Sequence, residues 1–212
     1  MSEPVIVIGA GGHARVLLDV LRLRGVEVLG VVDNDCAKRG QTVGGVPVTG
    51  GDEEVQNHPA HGVRLVNAVG TVGVSPQRSG VFERFKQHGY RFAEVIHPSA
   101  TIAADAVLCE GAQIMAGAIV QTGCRVGRNS ILNTRASIDH DCEIGDHVHV
   151  APGVTLSGNV SVGEGSHVGT GATVIQGVRI GRHCLIAAGA VVVRDVLDGV
   201  GVAGVPAREV GV

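Results

Sequence analysis

A histidine between two carboxylates is the strongest candidate in this sequence for acid–base chemistry. His140 is flanked by Asp139 and Asp141. An imidazole exchanges its proton near neutral pH, and an adjacent carboxylate can fix its tautomer and raise its basicity. This pattern predicts a proton acceptor that activates an attacking amine or hydroxyl group. Taken alone, it also fits a solvated surface histidine, because other histidines lie in the same half of the chain.

A glycine-rich turn near the start of the chain is the second candidate site. Residues 9–14 read Gly-Ala-Gly-Gly-His-Ala and follow the apolar run Val5–Ile8. This is the loose form of the dinucleotide-binding fingerprint, in which backbone amides at the start of a helix face a phosphate. Asp33, after the next apolar run, could accept from a ribose hydroxyl or a base, and His13 could contact a phosphate or a substrate group. A tight turn that binds no ligand is the alternative.

The elements around this turn predict an α/β domain with a parallel sheet. Apolar runs predict strands at 5–8, 26–32, 63–69 and 90–95, and helical spacing predicts helices at 14–23 and 78–88. The segment of residues 1–95 is about half of a full dinucleotide-binding fold and matches the size of a mononucleotide-binding half.

The rest of the chain is an uninterrupted six-residue repeat. Seventeen units run from Ile96 to Leu197, each with an aliphatic first residue and a small or β-branched fifth residue. A period of six fits neither an α-helix nor a two-faced strand, and it predicts a parallel β-helix whose aliphatic residues fill the interior. We therefore expect a second domain at residues 96–212, with a cap at its C-terminal end.

The two halves together resemble bacterial sugar acetyltransferases of the sialic-acid O-acetyltransferase type. Residues 9–14, the stretch Ser-Ile-Asp-His-Asp-Cys-Glu-Ile-Gly at 137–145 and the stretch Gly-Val-Pro-Ala-Arg at 204–208 carry the resemblance. It implies a left-handed β-helix with three hexads per coil and a homotrimer that binds coenzyme A between subunits. The implied reaction is acetyl transfer from acetyl-CoA to the amino group of a nucleotide-linked amino sugar in surface-glycan synthesis. Transfer to a sugar hydroxyl is the alternative, and a zinc hydratase on the same fold is a remote one.

The resemblance also assigns roles to residues. It implies that His140 is the general base, Asp141 its acidic neighbour, Asn133 a residue that positions the base, and Gly158 the amide that meets the acetyl carbonyl. The implied nucleotide-sugar residues are Gly9, Gly11, Gly12, His13, Asp33, Asn34 and Gly70. The implied coenzyme A residues are His149, Gly158, Thr170, Ala188 and Arg194, although Arg194 also fits a solvated coil surface.

A coil of three hexads brings residues 18 apart into adjacent coils. Thr122, His140, Gly158 and Gln176 would then form one column with a step of about 4.8 Å. A proton acceptor at His140 would neighbour a bare backbone amide at Gly158, which is the arrangement that acyl transfer requires.

Composition limits the classes of partner and compartment. The net charge is −3, and no run of Lys or Arg indicates a nucleic acid or a membrane surface as a partner. No apolar stretch reaches membrane-spanning length, and no signal-peptide pattern is found. The five cysteines form no Cys-x-x-Cys pair, and Cys124, Cys142 and Cys184 occupy the small fifth position of the repeat. We therefore expect a reduced, cytoplasmic protein without a metal cofactor, although His147 and His149 could share a strand face as metal ligands.

Overall fold

The computed structural model describes residues 3–211, and the chain divides into two compact units. The first contains Met1–Gly70 and Gln77–Pro98, and the second contains Thr71–Pro76 and Ser99–Val212. The short segment Thr71–Pro76 therefore belongs with the repeats, although it interrupts the sequence of the first unit. No helix within residues 3–211 has both the length and the apolar character needed to cross a bilayer.

The first unit is an α/β fold, as the sequence predicts. Its sheet has the order β3-β4-β2-β1-β5-β6, and all neighbours are parallel except β3 and β4. The elements are β1 (Val5–Ile8), α1 (Gly12–Leu23), β2 (Val28–Val32), β3 (Thr42–Val43), β4 (Val46–Gly50), β5 (Arg64–Asn67), α2 (Pro76–Gln87), β6 (Arg91–Phe92) and β7 (Val95–Ile96), with 3₁₀ turns at Cys36–Lys38 and Asp52–Asn57.

The core of this unit is apolar and holds its aromatic residues. All four residues of β1 are buried, as a central parallel strand requires. Phe82 of α2 packs on Phe92 of β6, with ring centroids 4.4 Å apart. The sequence did not predict β3 and β4, because Gly44, Gly45 and Pro47 interrupt their apolar pattern. The strand predicted at 90–95 is two short strands instead.

The second unit is a left-handed parallel β-helix, as predicted. Strands of the regular coils pair in parallel with the strand 18 residues further on, for example Ser137 with Thr155. The C-terminal end departs from this spacing, because Leu185 pairs with Gly201 and the strand Gly201–Ala203 pairs antiparallel with Arg208–Val210. Three sheets result, with the orders β10-β13-β16-β19-β22-β24-β25, β8-β11-β14-β17-β20-β23 and β9-β12-β15-β18-β21.

The strands of the second unit are β8 (Thr101–Ile102), β9 (Val107–Leu108), β10 (Gln113–Ile114), β11 (Ile119–Val120), β12 (Arg125–Val126), β13 (Ile131–Leu132), β14 (Ser137–Ile138), β15 (Glu143–Ile144), β16 (His149–Val150), β17 (Thr155–Leu156), β18 (Ser161–Val162), β19 (His167–Val168), β20 (Thr173–Val174), β21 (Arg179–Ile180), β22 (Leu185–Ile186), β23 (Val191–Val192), β24 (Gly201–Ala203) and β25 (Arg208–Val210).

The positions of the hexad have distinct physical roles. From Ile114 to Val192, the first residue of every hexad is buried in the interior. From Gly111 to Gly189, the fourth residue has a positive φ, because the chain turns these corners in a conformation that requires it. Glycine occupies many of these positions, and the other residues there are Asn129, Arg135, Asp141, His147, Asn159 and His183.

The corner cysteines are buried, as their place in the repeat predicts. Cys124, Cys142 and Cys184 are each about 1% exposed or less, and none of the five cysteines is in a disulfide. The thiol of Cys142 donates to Ser157 O at 3.2 Å. Burial raises the pKa of Cys142 to about 11, so this thiol stays protonated and unreactive near neutral pH.

We predict that Leu156→Ala destabilises the protein more than Leu197→Ala. Leu156 fills the coil interior, whereas Leu197 is 72% exposed. Truncation of a buried leucine costs about 2–5 kcal/mol, and an exposed site usually changes by less than about 0.5 kcal/mol. Thermal unfolding of the two variants at one protein concentration measures the difference. Equal losses would contradict the assignment of the interior to the first hexad position.

Candidate active site

The turn after β14 brings a histidine and two carboxylates together. His140 Nδ1 lies 2.9 Å from Asp141 Oδ2, whereas Asp139 Oδ1 accepts from the backbone N–H of His140 at 2.8 Å. Asp141 is therefore the partner of the ring, and Asp139 closes the turn. A carboxylate can only accept, so the proton of neutral His140 lies on Nδ1 and the lone pair lies on Nε2.

The electrostatics of this pair favour a stronger base. The hydrogen bond that His140 donates to Asp141 raises the pKa of His140 above its usual value, and the charges of Asp139 and Asp141 act in the same direction. Desolvation lowers this pKa but does not cancel the rise. The side chains of His140 and Asp141 are 47% and 65% exposed, so both can meet an incoming molecule.

Gly158 lies next to His140 in the following coil, as the 18-residue column predicts. Asn159 N donates to His140 O at 2.8 Å, which locks the two turns together. A Cβ added to Gly158 would collide with the imidazole at Nε2 and Cε1. Within residues 3–211, the N–H of Gly158 donates to no acceptor. The site therefore combines a proton acceptor with an amide donor that is free to bind an oxyanion.

Within the chain, the side chain of Asn133 contacts His149. Its Nδ2 lies 3.2 Å from His149 Nε2, and its Oδ1 accepts from Thr134 N at 2.8 Å. Asn133 follows β13, which pairs with β16, and His149 is the first residue of β16. His140 follows β14 of another sheet, so the contact within one chain is to His149, and the role of Asn133 in positioning His140 stays a prediction.

Three of the proposed coenzyme A residues lie along one sheet of the β-helix. His149 is the first residue of β16, whereas Thr170 follows β19 and Ala188 follows β22. The turns after β19 and β22 are joined by a hydrogen bond from Gly189 N to Thr170 O at 2.9 Å. Arg194 follows β23 and is exposed. It occupies the same hexad position as Gly158 two coils further on, which corresponds to about 10 Å along the coil axis.

A cleft of about 480 Å³ lies in the first unit at the carboxyl ends of β1, β2 and β5. The sheet order places β1 between β2 and β5, and ligands of open parallel sheets bind where the strand order reverses in this way. The cleft is lined by Ile8, Gly9, Ala10, Gly11, Asp33, Asn34, Lys38, Asp52, Ala68, Val69, Gly70, Gln77 and Val81.

Asp33 holds the glycine turn to the end of β2. Its Oδ2 accepts from Ala10 N at 2.7 Å and from Lys38 Nζ at 2.9 Å, and its Oδ1 accepts from Asp35 N at 2.9 Å. Burial raises the pKa of Asp33, but the hydrogen bonds from Lys38, Asp35 and Ala10 outweigh it and lower the pKa overall. Asp33 is therefore ionised and already has three donors, and Lys38 adds a positive charge to the cleft.

Gly9 and Gly11 of the turn are glycine for different physical reasons. Gly9 has a φ of 101°, and an added Cβ would lie 3.1 Å from the backbone of Ala68, so the fold itself requires glycine there. An added Cβ at Gly11 meets nothing within 4 Å. The fold does not require glycine at position 11. Because Gly11 lines the cleft, a side chain at this position would take up space there. The missing side chain of Gly11 therefore keeps the cleft open.

The other residues predicted to bind the nucleotide sugar include Asn34, Gly12 and His13, which lie in different parts of the first unit. Asn34 forms a pair of hydrogen bonds with Asp52, at 2.9 Å each. Gly12 and His13 form the first turn of α1, and within the described residues neither is part of the cleft lining. Three residues of the cleft lining were not predicted from the sequence: Lys38, Asp52 and Gln77. Lys38 could have been predicted, because it is a cation only five residues after Asp33, in the turn that follows β2.

The structure provides no evident metal centre among residues 3–211. No group of three or more His, Cys, Asp and Glu side chains is positioned to hold an ion. His147 Nδ1 instead lies 2.9 Å from Asn129 Nδ2 in the adjacent coil.

An α/β unit with a cleft at the carboxyl ends of its parallel strands, followed in the same chain by a hexapeptide β-helix, defines a class of two-unit transferases. Two family models match the corresponding parts of the chain. The PglD N-terminal domain matches residues 4–85, and the bacterial transferase hexapeptide (six repeats) matches residues 123–158 and 159–194.

Solved structures match the whole chain. PerB from Caulobacter crescentus, in complex with CoA and GDP-perosamine, is 39% identical, with a TM-score of 0.89 and coverage of 100% of this chain and 99% of that chain. The acetyltransferase domain of PglB from Neisseria gonorrhoeae FA1090, in complex with acetyl coenzyme A, is 35% identical, with a TM-score of 0.90 and coverage of 99% and 100%. The chain therefore belongs to the bacterial hexapeptide-repeat sugar acetyltransferase family that contains these two proteins.

A curated relative matches over a shorter stretch. GDP-perosamine N-acetyltransferase of Escherichia coli O157:H7 is 34% identical over 81 residues, which is 38% of this chain and 37% of that protein. The matched stretch thus spans little more than a third of that relative.

We predict that Asp141→Asn lowers the pKa of His140. The substitution removes the carboxylate that stabilises the protonated ring, and asparagine tolerates the positive φ at this position. Nuclear magnetic resonance titration of the His140 ring measures the shift. The control is Asp195→Asn, since Asp195 pairs with Arg179 and makes no contact with the ring. A His140 pKa that is the same in wild type and Asp141→Asn would disprove the role of Asp141.

Proposed function

We propose that this protein transfers the acetyl group of acetyl-CoA to the amino group of a nucleotide-linked amino sugar, such as GDP-perosamine or a UDP-4-amino sugar. The observation that carries the proposal is that His140 Nε2 packs against Gly158, whose N–H donates to no acceptor among residues 3–211. The full-length similarity to PerB and to the PglB acetyltransferase domain supports it. The same two groups could serve a hydroxyl acceptor, but the names of the relatives favour an amine.

The chemistry needs no covalent enzyme intermediate. The sugar nitrogen attacks the thioester carbonyl, and His140 Nε2 accepts the proton that the nitrogen loses. The N–H of Gly158 donates to the carbonyl oxygen as it becomes negatively charged. Collapse of the tetrahedral intermediate breaks the C–S bond, which releases CoA as a thiolate and leaves the acetamido sugar. Protonation of the thiolate and return of the proton from His140 to solvent or to the thiolate complete the cycle.

The two substrates are assigned to different parts of the chain. We propose that residues 1–95 bind the nucleotide sugar, because the cleft there combines open backbone at Gly11 with the cation of Lys38, both suited to a diphosphate. We propose that residues 96–212 bind acetyl-CoA. His149, Thr170 and Ala188 would follow its length, and the cation of Arg194 would meet its phosphates.

A homotrimer with active sites between subunits and a cytoplasmic location complete the proposal. The trimer rests on the resemblance to hexapeptide transferases. The reducing compartment is supported by five free cysteines, all of which lie within the described residues.

We predict acetyl transfer that depends on His140. Release of thiol from acetyl-CoA should require one member of a panel of GDP-, UDP-, dTDP- and CMP-linked amino sugars. His140→Asn should lower kcat by about 10²–10⁴-fold with little change in either KM, because general base catalysis contributes mainly in the transition state. Wild-type activity should rise with pH through a pKa above the ordinary value for histidine, because the neutral ring is the active form.

The matched control for this experiment is His183→Asn. His183 lies in another coil turn, and its ring packs against Gly165 of the preceding coil, much as the ring of His140 packs against Gly158 of the following coil. This variant should keep wild-type kcat. A His140→Asn enzyme within about threefold of wild type at every pH would refute the base assignment and leave positioning and Gly158 as the sources of catalysis.

We predict that Gly11→Val raises the KM for the nucleotide sugar and leaves the KM for acetyl-CoA unchanged. Position 11 has space for a side chain in the fold, so the variant should fold, but the valine would occupy the phosphate approach. Initial-rate kinetics with each substrate varied separately measure the effect. Gly80→Val is the control, because position 80 also has open space and does not line the cleft. Loss of acetyl-CoA affinity instead would reverse the assignment of the two substrates.

A further inference from the structure

Both ring nitrogens of His149 face polar side chains in the second unit. Thr71 Oγ1 lies 2.9 Å from Nδ1, and Asn133 Nδ2 lies 3.2 Å from Nε2. Thr71 is outside the hexad repeats, yet it belongs to the same compact unit as His149. These contacts differ from those of His140, whose Nδ1 faces a carboxylate.

The orientation of the Asn133 amide is determined by its other contacts. Its second terminal atom lies 2.8 Å from the backbone N of Thr134, and a backbone N–H can only donate. That atom must therefore be the oxygen. The Thr134 hydroxyl, at 3.4 Å, can donate to the same oxygen. Consequently the NH₂ group of Asn133, a donor, faces His149.

This orientation determines the tautomer of His149. A donor at Asn133 Nδ2 requires an acceptor, so the Nε2 of His149 carries a lone pair. The proton of the neutral ring then lies on Nδ1, which donates to the hydroxyl oxygen of Thr71. The hydroxyl of Thr71 can accept this bond and still keep its own proton to donate elsewhere.

A second histidine packs against this ring. The rings of His149 and His167 meet edge to face, with centroids 4.9 Å apart and planes at 88°. Burial lowers the pKa of His167, so the neighbour of His149 is uncharged near neutral pH. These hydrogen bonds and the aromatic contact hold the plane of His149.

We propose that Thr71 is a positioning residue that holds His149 as the Nδ1–H tautomer in a fixed plane. His149 then orients the bound coenzyme A and takes no proton in the reaction, since Asn133 engages its Nε2 lone pair. The effect on coenzyme A rests on the proposed function, whereas the tautomer follows from the contacts alone. Thr71 therefore determines the geometry of the acyl donor through His149.

The first test is the tautomer, which requires no activity. In ¹⁵N-histidine-labelled protein, with the His149 signals assigned by comparison with His149→Gln, we expect the proton on Nδ1. Thr71→Val removes the hydroxyl at nearly constant shape and should shift the tautomer populations, whereas Thr71→Ser should restore them. Asn133→Asp replaces the donor by an acceptor and should place a proton on Nε2. A wild-type ring protonated at Nε2 would overturn the inference, as would populations that do not change in either variant.

The second test is binding of the acyl donor. Loss of one hydrogen bond should raise the Kd for CoA, measured by calorimetry, and the KM for acetyl-CoA by about two- to tenfold in Thr71→Val. Thr71→Ser should stay within about twofold of wild type. The exposed Thr101→Val is the control and should change neither constant. Unchanged CoA affinity in Thr71→Val would refute the positioning role.

The two tests separate this inference from the proposed function. If no acetyl transfer occurs with any sugar but the Nδ1–H tautomer is present and depends on Thr71, the proposed function fails alone. If acetyl transfer occurs but the tautomer populations of His149 are the same in wild type and Thr71→Val, the inference about Thr71 fails and the proposed function stands.

Discussion

The backbone ladder between successive coils is the interaction on which the rest of the second unit depends. Each strand bonds to the strand 18 residues later, and the turns are locked in the same register by bonds such as Asn159 N to His140 O. Because adjacent coils are about 4.8 Å apart, side chains of one column are in direct contact. His140 can therefore lie over the next coil only because residue 158 has no side chain. The ladder that stabilises the fold thus also fixes the distance between the proposed base and the proposed oxyanion donor.

The corner conformation of the hexad places the acid beside the base. Asp141 has a φ of 58°, at a position where glycine is common in this chain. Aspartate is among the residues that tolerate this conformation, and its short side chain reaches Nδ1 of the preceding residue. An added Cβ at Gly123, one coil earlier, would collide with the Asp141 carboxylate. The pair of His140 and Asp141 consequently needs a residue without a side chain in each adjacent coil, which Gly123 and Gly158 provide.

The cleft of the first unit shows how acidic residues near a glycine turn can be structural. The Asp33 carboxylate accepts hydrogen bonds from the backbone N–H of Ala10 and from the ammonium group of Lys38. It therefore holds the glycine turn and the cation in place. Gly9 serves the fold, whereas Gly11 leaves open space. The groups left to meet a ligand are backbone and Lys38 rather than the Asp33 carboxylate. The sequence motif indicated the position of the cleft but not this division of roles.

The sequence by itself determined the β-helix, the α/β unit and the pairing of His140 with Gly158. A strict hexad repeat allows only one register, and that register follows from counting residues along the chain. The sequence could not select Asp141 over Asp139 as the partner of His140, because the choice depends on the turn dihedrals. The coil register places Asn133 directly after β13 and His149 on the paired strand β16, but whether their side chains meet depends on their rotamers. Nor could the sequence bring Thr71 to that ring, because the 78 residues between Thr71 and His149 follow no period. Only the packed tertiary structure decides these contacts, because hydrogen bonds form between atoms that are close in space, whatever their distance along the chain.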